Sequence, residues 1–350
     1  MTADPPRAGS TPPISPPPGA VALGGGHGLY GTLRALRLLT DAVTAVVTVA
    51  DDGGSSGRLR GELGILPPGD LRMALAALAD GGPRGALWGE LFQHRFGGTG
   101  ALAGHAVGNL LLAGLIDVLG DPVTALDEAC RLLEVRGRVL PMCTEPLVIE
   151  AEVEGLGRAG AVARIRGQVA VASTPGRVRR VWLRPSRPKA CPEAVEAILA
   201  AEVVLLGPGS WFTSVLPHLM VPSLRQALLD TPARRVVVLN LAPQPGETAG
   251  FSPERHLDVL CQHAPELRID AVLADTGSVP VPERLKQAAQ ALGARAVLAP
   301  VGEPDGSARH NPAALAEAVR SVTADPGRWR VPGESLARGA SGREENTRWR

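Results

Sequence analysis

Lysine is nearly missing from this chain. Of the 36 basic residues in 350, only Lys189 and Lys286 are lysines, so positive charge is carried by guanidinium groups suited to bidentate contact with phosphate or carboxylate. A GC-rich genome produces the same bias. No charge of one sign dominates: the formal net charge of +1 supplies no global attraction for nucleic acid or for a membrane surface. The four cysteines, Cys130, Cys143, Cys191 and Cys261, make no C-x-x-C pair, so neither a zinc site nor a disulfide framework is indicated and a reducing cytoplasm is expected. There is no basic, then apolar leader at the N-terminus, and the apolar run from Ala106 to Leu119 is broken by Asn109 and Asp117, so neither secretion nor membrane insertion is expected. No H-E-x-x-H or comparable histidine spacing occurs, and no metal is expected. G-x-S-x-G is absent at Ser55, Ser210 and Ser214, which argues against an α/β-hydrolase.

The two ends are poor in hydrophobic residues. Residues 1–19, MTADPPRAGSTPPISPPPG, bury too little to offset ordering entropy and read as a disordered tail. Residues 326–350 alternate charge, Gly and Ser without periodicity and read as a second tail, with Trp329 and Trp349 its only large apolar groups. Ser341 and Thr347 lie there among Arg and Glu, where a phosphate would gain Arg contacts.

Between the tails, residues 20–325 read as one α/β domain. Val21–Leu23 leads into glycines, Leu29–Leu39 has helical spacing, and Val43–Ala50 is a β-branched run of strand length, together a βαβ unit. Brief apolar runs at 203–206, 236–239, 271–273 and 296–298 are each followed by Gly, Pro, Asn or Asp and then a helical pattern, as buried parallel strands are. Residues 70–80, 84–95 and 108–134 are helical in pattern, and residues 138–185 alternate like strands. The expected fold is a Rossmann-like three-layer α/β/α sandwich with a mainly parallel sheet, interrupted at about 70–185 by a helical cluster and a small β-rich insertion.

Three loops carry the candidate chemistry. In ALGGGHGLYG, Gly26, Gly28 and Gly31 fit G-x-G-x-x-G; such a loop after a strand lets backbone approach a phosphate, with donors at the helix start near Leu29. Thr32 follows Gly31 directly, with no Walker lysine, so a P-loop NTPase is disfavoured. The spacing alone also fits a nicotinamide-dependent oxidoreductase, although no acid–base pair for hydride transfer is evident. The second loop, ADDGGSSGRLR, puts Asp51 and Asp52 at a strand end, where a ribose hydroxyl is held in dinucleotide folds. There Asp51 is placed to accept hydrogen bonds from a sugar or to hold a metal, while Ser55, Ser56 and Arg58 are placed to donate to phosphate. The third, LGPGSWFTS, repeats strand, glycines and helix start with Gly207, Gly209 and Ser210, and is followed by NLAPQPGETAGFS, which begins at Asn240. In addition, Asp70 stands where an N-cap is expected, and Asn109 follows GHAVG as a cap or a ligand contact.

The ordered series GGGHGL, VTVADDGGSSGRLR, GILPPGDLR, GHAVGNLLLA, GPGSWFTSVLPHL and NLAPQPGETAGFS resembles the bacterial gluconeogenesis factor family, YvcK-like proteins related to the 2-phospho-L-lactate transferase CofD, over about residues 20–322. The resemblance implies a cytoplasmic protein that binds UDP-sugars, notably UDP-N-acetylglucosamine, requires no cofactor, and supports gluconeogenic growth, cell shape and peptidoglycan synthesis. Its implied partners are a UDP-sugar, further copies of itself and cell-wall synthesis proteins. Carried over by motif, Gly25, Gly26, His27, Gly28, Asp51, Asp52, Gly207, Gly209, Ser210 and Asn240 border the nucleotide-sugar cleft. The alternative is a phosphotransferase resembling the deazaflavin-pathway relative, with Asp51 or Asp52 holding a metal or activating an acceptor hydroxyl. Two positions depart from the family: His27 stands where threonine is usual, and Met73 follows Arg72 where asparagine is common.

Overall fold

The computed structural model describes residues 19–79, 81–156 and 162–323. Both expected tails, with Ser341, Thr347 and the two tail tryptophans, lie outside them apart from Gly19.

The apolar runs form strands because both faces are covered. β1 (Ala20–Gly24) and β2 (Val43–Val47) are buried along their whole length. With β3 (Arg138–Pro141), and further strands at Val203–Leu206, Arg234–Val238, Ala271–Asp275 and Arg295–Ala299, they make a seven-stranded parallel sheet. Between β3 and Val203 the chain builds a separate antiparallel sheet from β4 (Val148–Glu154), β5 (Val162–Arg166) and β6 (Arg177–Arg184), so the last four strands of the large sheet are β7 to β10. The large sheet runs β10-β9-β8-β7-β1-β2-β3. Chain order therefore reverses between β1 and β7, and a crevice opens beyond their carboxyl ends, where ligands bind in open α/β sheets.

Helices α1 (Gly26–Leu36), α2 (Gly54–Leu63), α3 (Pro68–Leu78), α4 (Pro83–Gln93), α5 (Val107–Leu119) and α6 (Pro122–Leu132) precede β3. A short α7 (Gln168–Ala172) sits in the small sheet's connection, and α8 (Pro192–Ala200), α9 (Pro217–Met220), α10 (Pro222–Asp230), α11 (Pro253–His263), α12 (Pro282–Ala291) and α13 (Pro312–Thr323) accompany the later strands. α1 packs on α3 and α13, while α8 packs on α10, and helices cover both sides of the sheet, giving the expected α/β architecture.

Four details differ from the sequence reading. The glycine-rich segment after Asp51 is a helix, α2, and not a loop. The pattern over 108–134 is two helices, broken where Gly120 takes φ +70° and the Asp121 carboxylate accepts the Thr124 N–H. The insertion is two excursions, because β3, with Val139 and Leu140 fully buried, joins the large sheet beside β2. Finally, α1 begins at Gly26 instead of near Leu29.

Candidate functional site

The two glycine loops are built into each other. A Cβ on Gly28 would lie 2.3 Å from the Pro208 carbonyl oxygen and 2.6 Å from Gly209 Cα, so the first turn of α1 and the 207–209 loop touch backbone to backbone. Thr32 reinforces the contact, its hydroxyl donating to the Gly207 carbonyl at 3.3 Å. On the far side Asn240, just past β8, accepts the Gly209 N–H at 2.8 Å and donates to the Gly209 carbonyl at 2.9 Å. Gly209 has φ +135° and Gly207 φ +76°, conformations that glycine adopts without a Cβ penalty. The two glycine loops thereby form one continuous wall. The loop leads into a π-helical turn, Trp211–Val215, where Glu247, only 2 % exposed, accepts the Phe212 N–H at 2.9 Å. Burial pushes the Glu247 carboxyl upward, against hydrogen bonds from Ser210, Phe212 and Thr213 that favour its charge. The sequence reading passed over Glu247; the signal was a lone acid in the otherwise uncharged PQPGETAG.

Against this wall lies a cavity of about 660 Å³, bordered by His27, Gly31, Arg34, Asn240, the Leu241–Pro245 segment, Arg309 and His310. Its volume falls in the range of small-molecule sites. Asp275 at the end of β9 fixes the rim by accepting the Val301 and Gly302 N–H groups at 2.9 and 3.1 Å. Burial holds His310 down to about 4, with Asp275 opposing the shift, so the imidazole is neutral at physiological pH. Its Nε2 is buried without a protein partner. Arg34 and Arg309 bring positive charge to this side of the wall beside the Glu303 carboxylate, and Arg309 is braced by Asp305 at 3.1 Å.

The opposite side is acidic. Thr48, just past β2, donates to Asp70 Oδ2 at 3.2 Å, and a Cβ on Gly25 would meet that oxygen at 2.5 Å and Thr48 Oγ at 2.6 Å. The Gly26 N–H, at the start of α1, favours the charged form of this carboxylate. Asp70 is therefore not the N-cap of α3, a position held by Pro67; its carboxylate sits on the glycine loop. Desolvation first, and the neighbouring Asp51 second, raise it to about 6. Asp51 accepts the Gly53 N–H at 2.9 Å. Asp52 accepts the Gln168 and Val169 N–H groups at 3.1 and 2.9 Å, capping α7 and so tying the small sheet to the strand end.

Several residues expected to meet a ligand are engaged with the chain itself. Ser55 is buried, accepts from Asn109 Nδ2 at 2.9 Å and is hydrogen-bonded to His105 Nδ1 at 2.9 Å. Asn109 lies inside α5 and is not its cap, and its Oδ1 accepts from Arg72 Nε at 2.9 Å. Arg72 also bonds Gln93. Ser56 is buried against Gly69, and Arg58 donates to the Ala103 carbonyl at 2.7 Å. These contacts join α2, α3 and α5 into the platform that carries Asp51 and Asp70. Among the described residues no group of three or more His, Cys, Asp or Glu gathers to hold a metal ion, and no helix is long and apolar enough to cross a membrane.

Comparison with known proteins gives this geometry a family. The family model described as 2-phospho-L-lactate transferase CofD matches residues 20–303. A Mycobacterium leprae protein is 61% identical over 315 residues, covering 88% of this chain and 88% of its own. The gluconeogenesis factor of Bacillus subtilis is 41% identical over 280 residues, 80% of this chain and 85% of that one. A crystal structure of a UPF0052 family protein from Bacillus halodurans superposes with a TM-score of 0.77 at 36% identity, covering 87% of this chain and 98% of that chain. With the match running from the first strand of the large sheet to the rim of the cavity, this chain belongs to the CofD family and groups with its gluconeogenesis factor members.

Proposed function

We propose that the chain is a cytoplasmic regulatory protein that binds a nucleotide sugar, UDP-N-acetylglucosamine, and links carbon supply to cell shape and peptidoglycan synthesis. The observation that carries this reading is the cavity at the β1/β7 crossover, bounded by helix α1's first turn, two arginines and the Leu241–Pro245 segment. The N–H groups of that first turn lack partners within the helix, and they favour an anion together with Arg34 and Arg309. A diphosphate seated there leaves the uracil to the Leu241–Pro245 side, beside His310, and directs the sugar out of the cavity towards Asp51 on the acidic side of the wall. Arginine supplies planar, paired donors for phosphate. Calorimetric titration with UDP-N-acetylglucosamine, set beside GDP and NADH, tests the reading. Saturable binding of the UDP-sugar alone supports it, and no heat at millimolar ligand rejects it.

One observation favours a second reading, phosphotransfer. Asp70, held near 6 beside Asp51, has the proton affinity of a general base for an acceptor hydroxyl. Formation of a phosphodiester product from a nucleotide-activated donor, lost in Asp70→Asn, would establish it. Intact UDP-sugar after prolonged incubation would exclude it for that donor.

A further inference from the structure

β6 is an edge of the small sheet, whose order is β5-β4-β6, and a second cavity of about 670 Å³ runs beside it. Side chains alternate between the two faces of a strand, yet Arg179, Arg180, Val181, Trp182 and Leu183 all border this cavity. It therefore follows the open edge of the strand and not one face. Alternate residues of an antiparallel strand turn their N–H and C=O away from the partner strand, and among the described residues the backbone of 179–183 bonds to nothing outside the small sheet. We propose that this edge receives a short extended peptide of alternating acidic and apolar residues from a partner protein, paired as a fourth strand of the small sheet. The groove shares no lining residue with the cavity at α1, so the proposal stands apart from the nucleotide-sugar reading.

The two faces of β6 set the chemistry of the peptide. On the outer face Arg180 is exposed and makes no ion pair among the described residues, because Glu152, opposite it, is paired with Arg164 at 3.6 Å. Arg179, the residue left over where the register shifts between Glu152 and Val153, reaches only Glu154, at 4.0 Å. Across the groove the positive charge of Arg225 is already met by Glu266. Burial disfavours protonation of His263 on that far wall, and Arg180 acts in the same direction, which places the guanidinium charge over the groove. On the inner face Val181 and Leu183 are buried, and Leu219 and Met220 of α9 with Leu229 of α10 continue the apolar surface. An added strand keeps this alternation, with acidic side chains beside Arg180 and apolar ones towards Met220 and Leu229. Opposite-charge and apolar cross-strand pairs are both stabilising, while the main-chain bonds of strand addition supply affinity.

Charge also decides between a partner and a second copy of the chain. β6 reads RVRRVWLR, with four arginines among eight residues. Pairing two copies of β6 would set arginine against arginine, and like charges across a ladder are destabilising. Charged edges are a common defence against such self-association. A purely defensive edge needs no groove beside it, whereas this one has an apolar far wall at the distance where a further strand would lie. The same arginines that repel a copy of β6 attract an acidic strand.

The probe is a fluorescein-labelled nonapeptide of alternating glutamate and valine, titrated by polarisation into the full-length protein, with hydrogen exchange followed over residues 179–183. Saturable binding that slows exchange across 179–183 is expected, weakened at least about fivefold in Arg180→Glu. Arg180→Gln, which removes the charge without adding repulsion, should fall between that variant and the unsubstituted protein. Successive N–H groups of a strand point to opposite edges, so of two peptides N-methylated at every glutamate or at every valine, one should fail and the other still bind. No binding at millimolar peptide, equal binding of the two methylated peptides, equal binding of a lysine–valine peptide, or unchanged exchange over 179–183 overturns the proposal. Sedimentation velocity without peptide covers the remaining occupant: a concentration-dependent dimer that slows the same amides would give the edge to a second copy and overturn the assignment to a partner peptide.

Discussion

Asn240 grips the backbone of Gly209 at both of its polar groups, accepting the N–H at 2.8 Å and donating to the carbonyl at 2.9 Å. The loop that follows β7 is thereby held to the loop that follows β8, and the cavity wall inherits its shape from that clamp. Asn240→Ala leaves both Gly209 groups without this partner, and is expected to cost about 1–3 kcal/mol in urea denaturation and to weaken UDP-N-acetylglucosamine binding. Asn240→Asp keeps the acceptor and loses the donor, so it should fall between wild type and alanine. Equal stability of all three proteins would show that the clamp is idle.

Two glycines of the opening motif separate by environment. A Cβ at Gly28 collides with Pro208 and Gly209, whereas one at Gly31 meets nothing within 4 Å. Gly28→Ala should therefore destabilise by about 1–3 kcal/mol, the scale of overpacking. Gly31→Ala, inside a helix, should be neutral or gain up to about 1 kcal/mol. Chemical denaturation of the pair checks both signs, and equal losses would contradict the backbone contact.

Asp70 makes stability fall as pH rises through its titration. Its folded value of about 6 lies above the unfolded one, about 3.9, so between the two the native state binds more protons and the slope of stability with pH is negative. The cost is absent below about pH 4 and complete above about pH 6–7. It is on the order of 1–3 kcal/mol. Asp70→Asn should consequently raise stability at pH 7.5 relative to wild type, with the advantage vanishing near pH 4. An Asn variant whose deficit is constant across that range would contradict the assignment.

Much of the fold was legible because parallel strands covered on both faces must be apolar throughout: VVLL, VVVL and the AVL runs declare themselves. Helix α2 was not. GSSGRLRGEL has weak helical propensity and little apolar face, and it is helical because Ser55, Ser56 and Leu59 are buried against neighbours that the local sequence does not name. The site divided in the same way. Glycines and strand-end acids announced a crevice, but the roles of Asp70, Glu247 and Asn240 depend on contacts 22, 35 and 31 residues away in sequence. Spacing rules do not reach that far. Asp52, Ser55 and Asn109 looked like ligand contacts because the polar types that read a sugar also cap and brace helices.

The cationic side of the wall makes its own demand. Arg34→Ala and Arg309→Ala should each reduce UDP-N-acetylglucosamine affinity about tenfold, or about 1.4 kcal/mol, and the affinity should fall with added salt. Arg309→Lys retains charge but loses paired donors, so partial recovery is expected. Binding indifferent to both arginines and to ionic strength would place the ligand elsewhere.

His27 is exposed on the cavity border. Since the backbone N–H groups of the α1 first turn are the donors in this account, His27→Thr should change affinity by no more than about twofold. A tenfold change in equilibrium dialysis would assign the imidazole a contact of its own.

The most direct test is a crystal structure of the protein grown with millimolar UDP-N-acetylglucosamine. The account predicts the diphosphate against the His27 and Gly28 N–H groups, the uracil beside Leu241–Pro245 and His310, and the sugar towards Asp51. A ligand found away from the Gly28–Gly209 wall, or a cavity still vacant at that concentration, would contradict it.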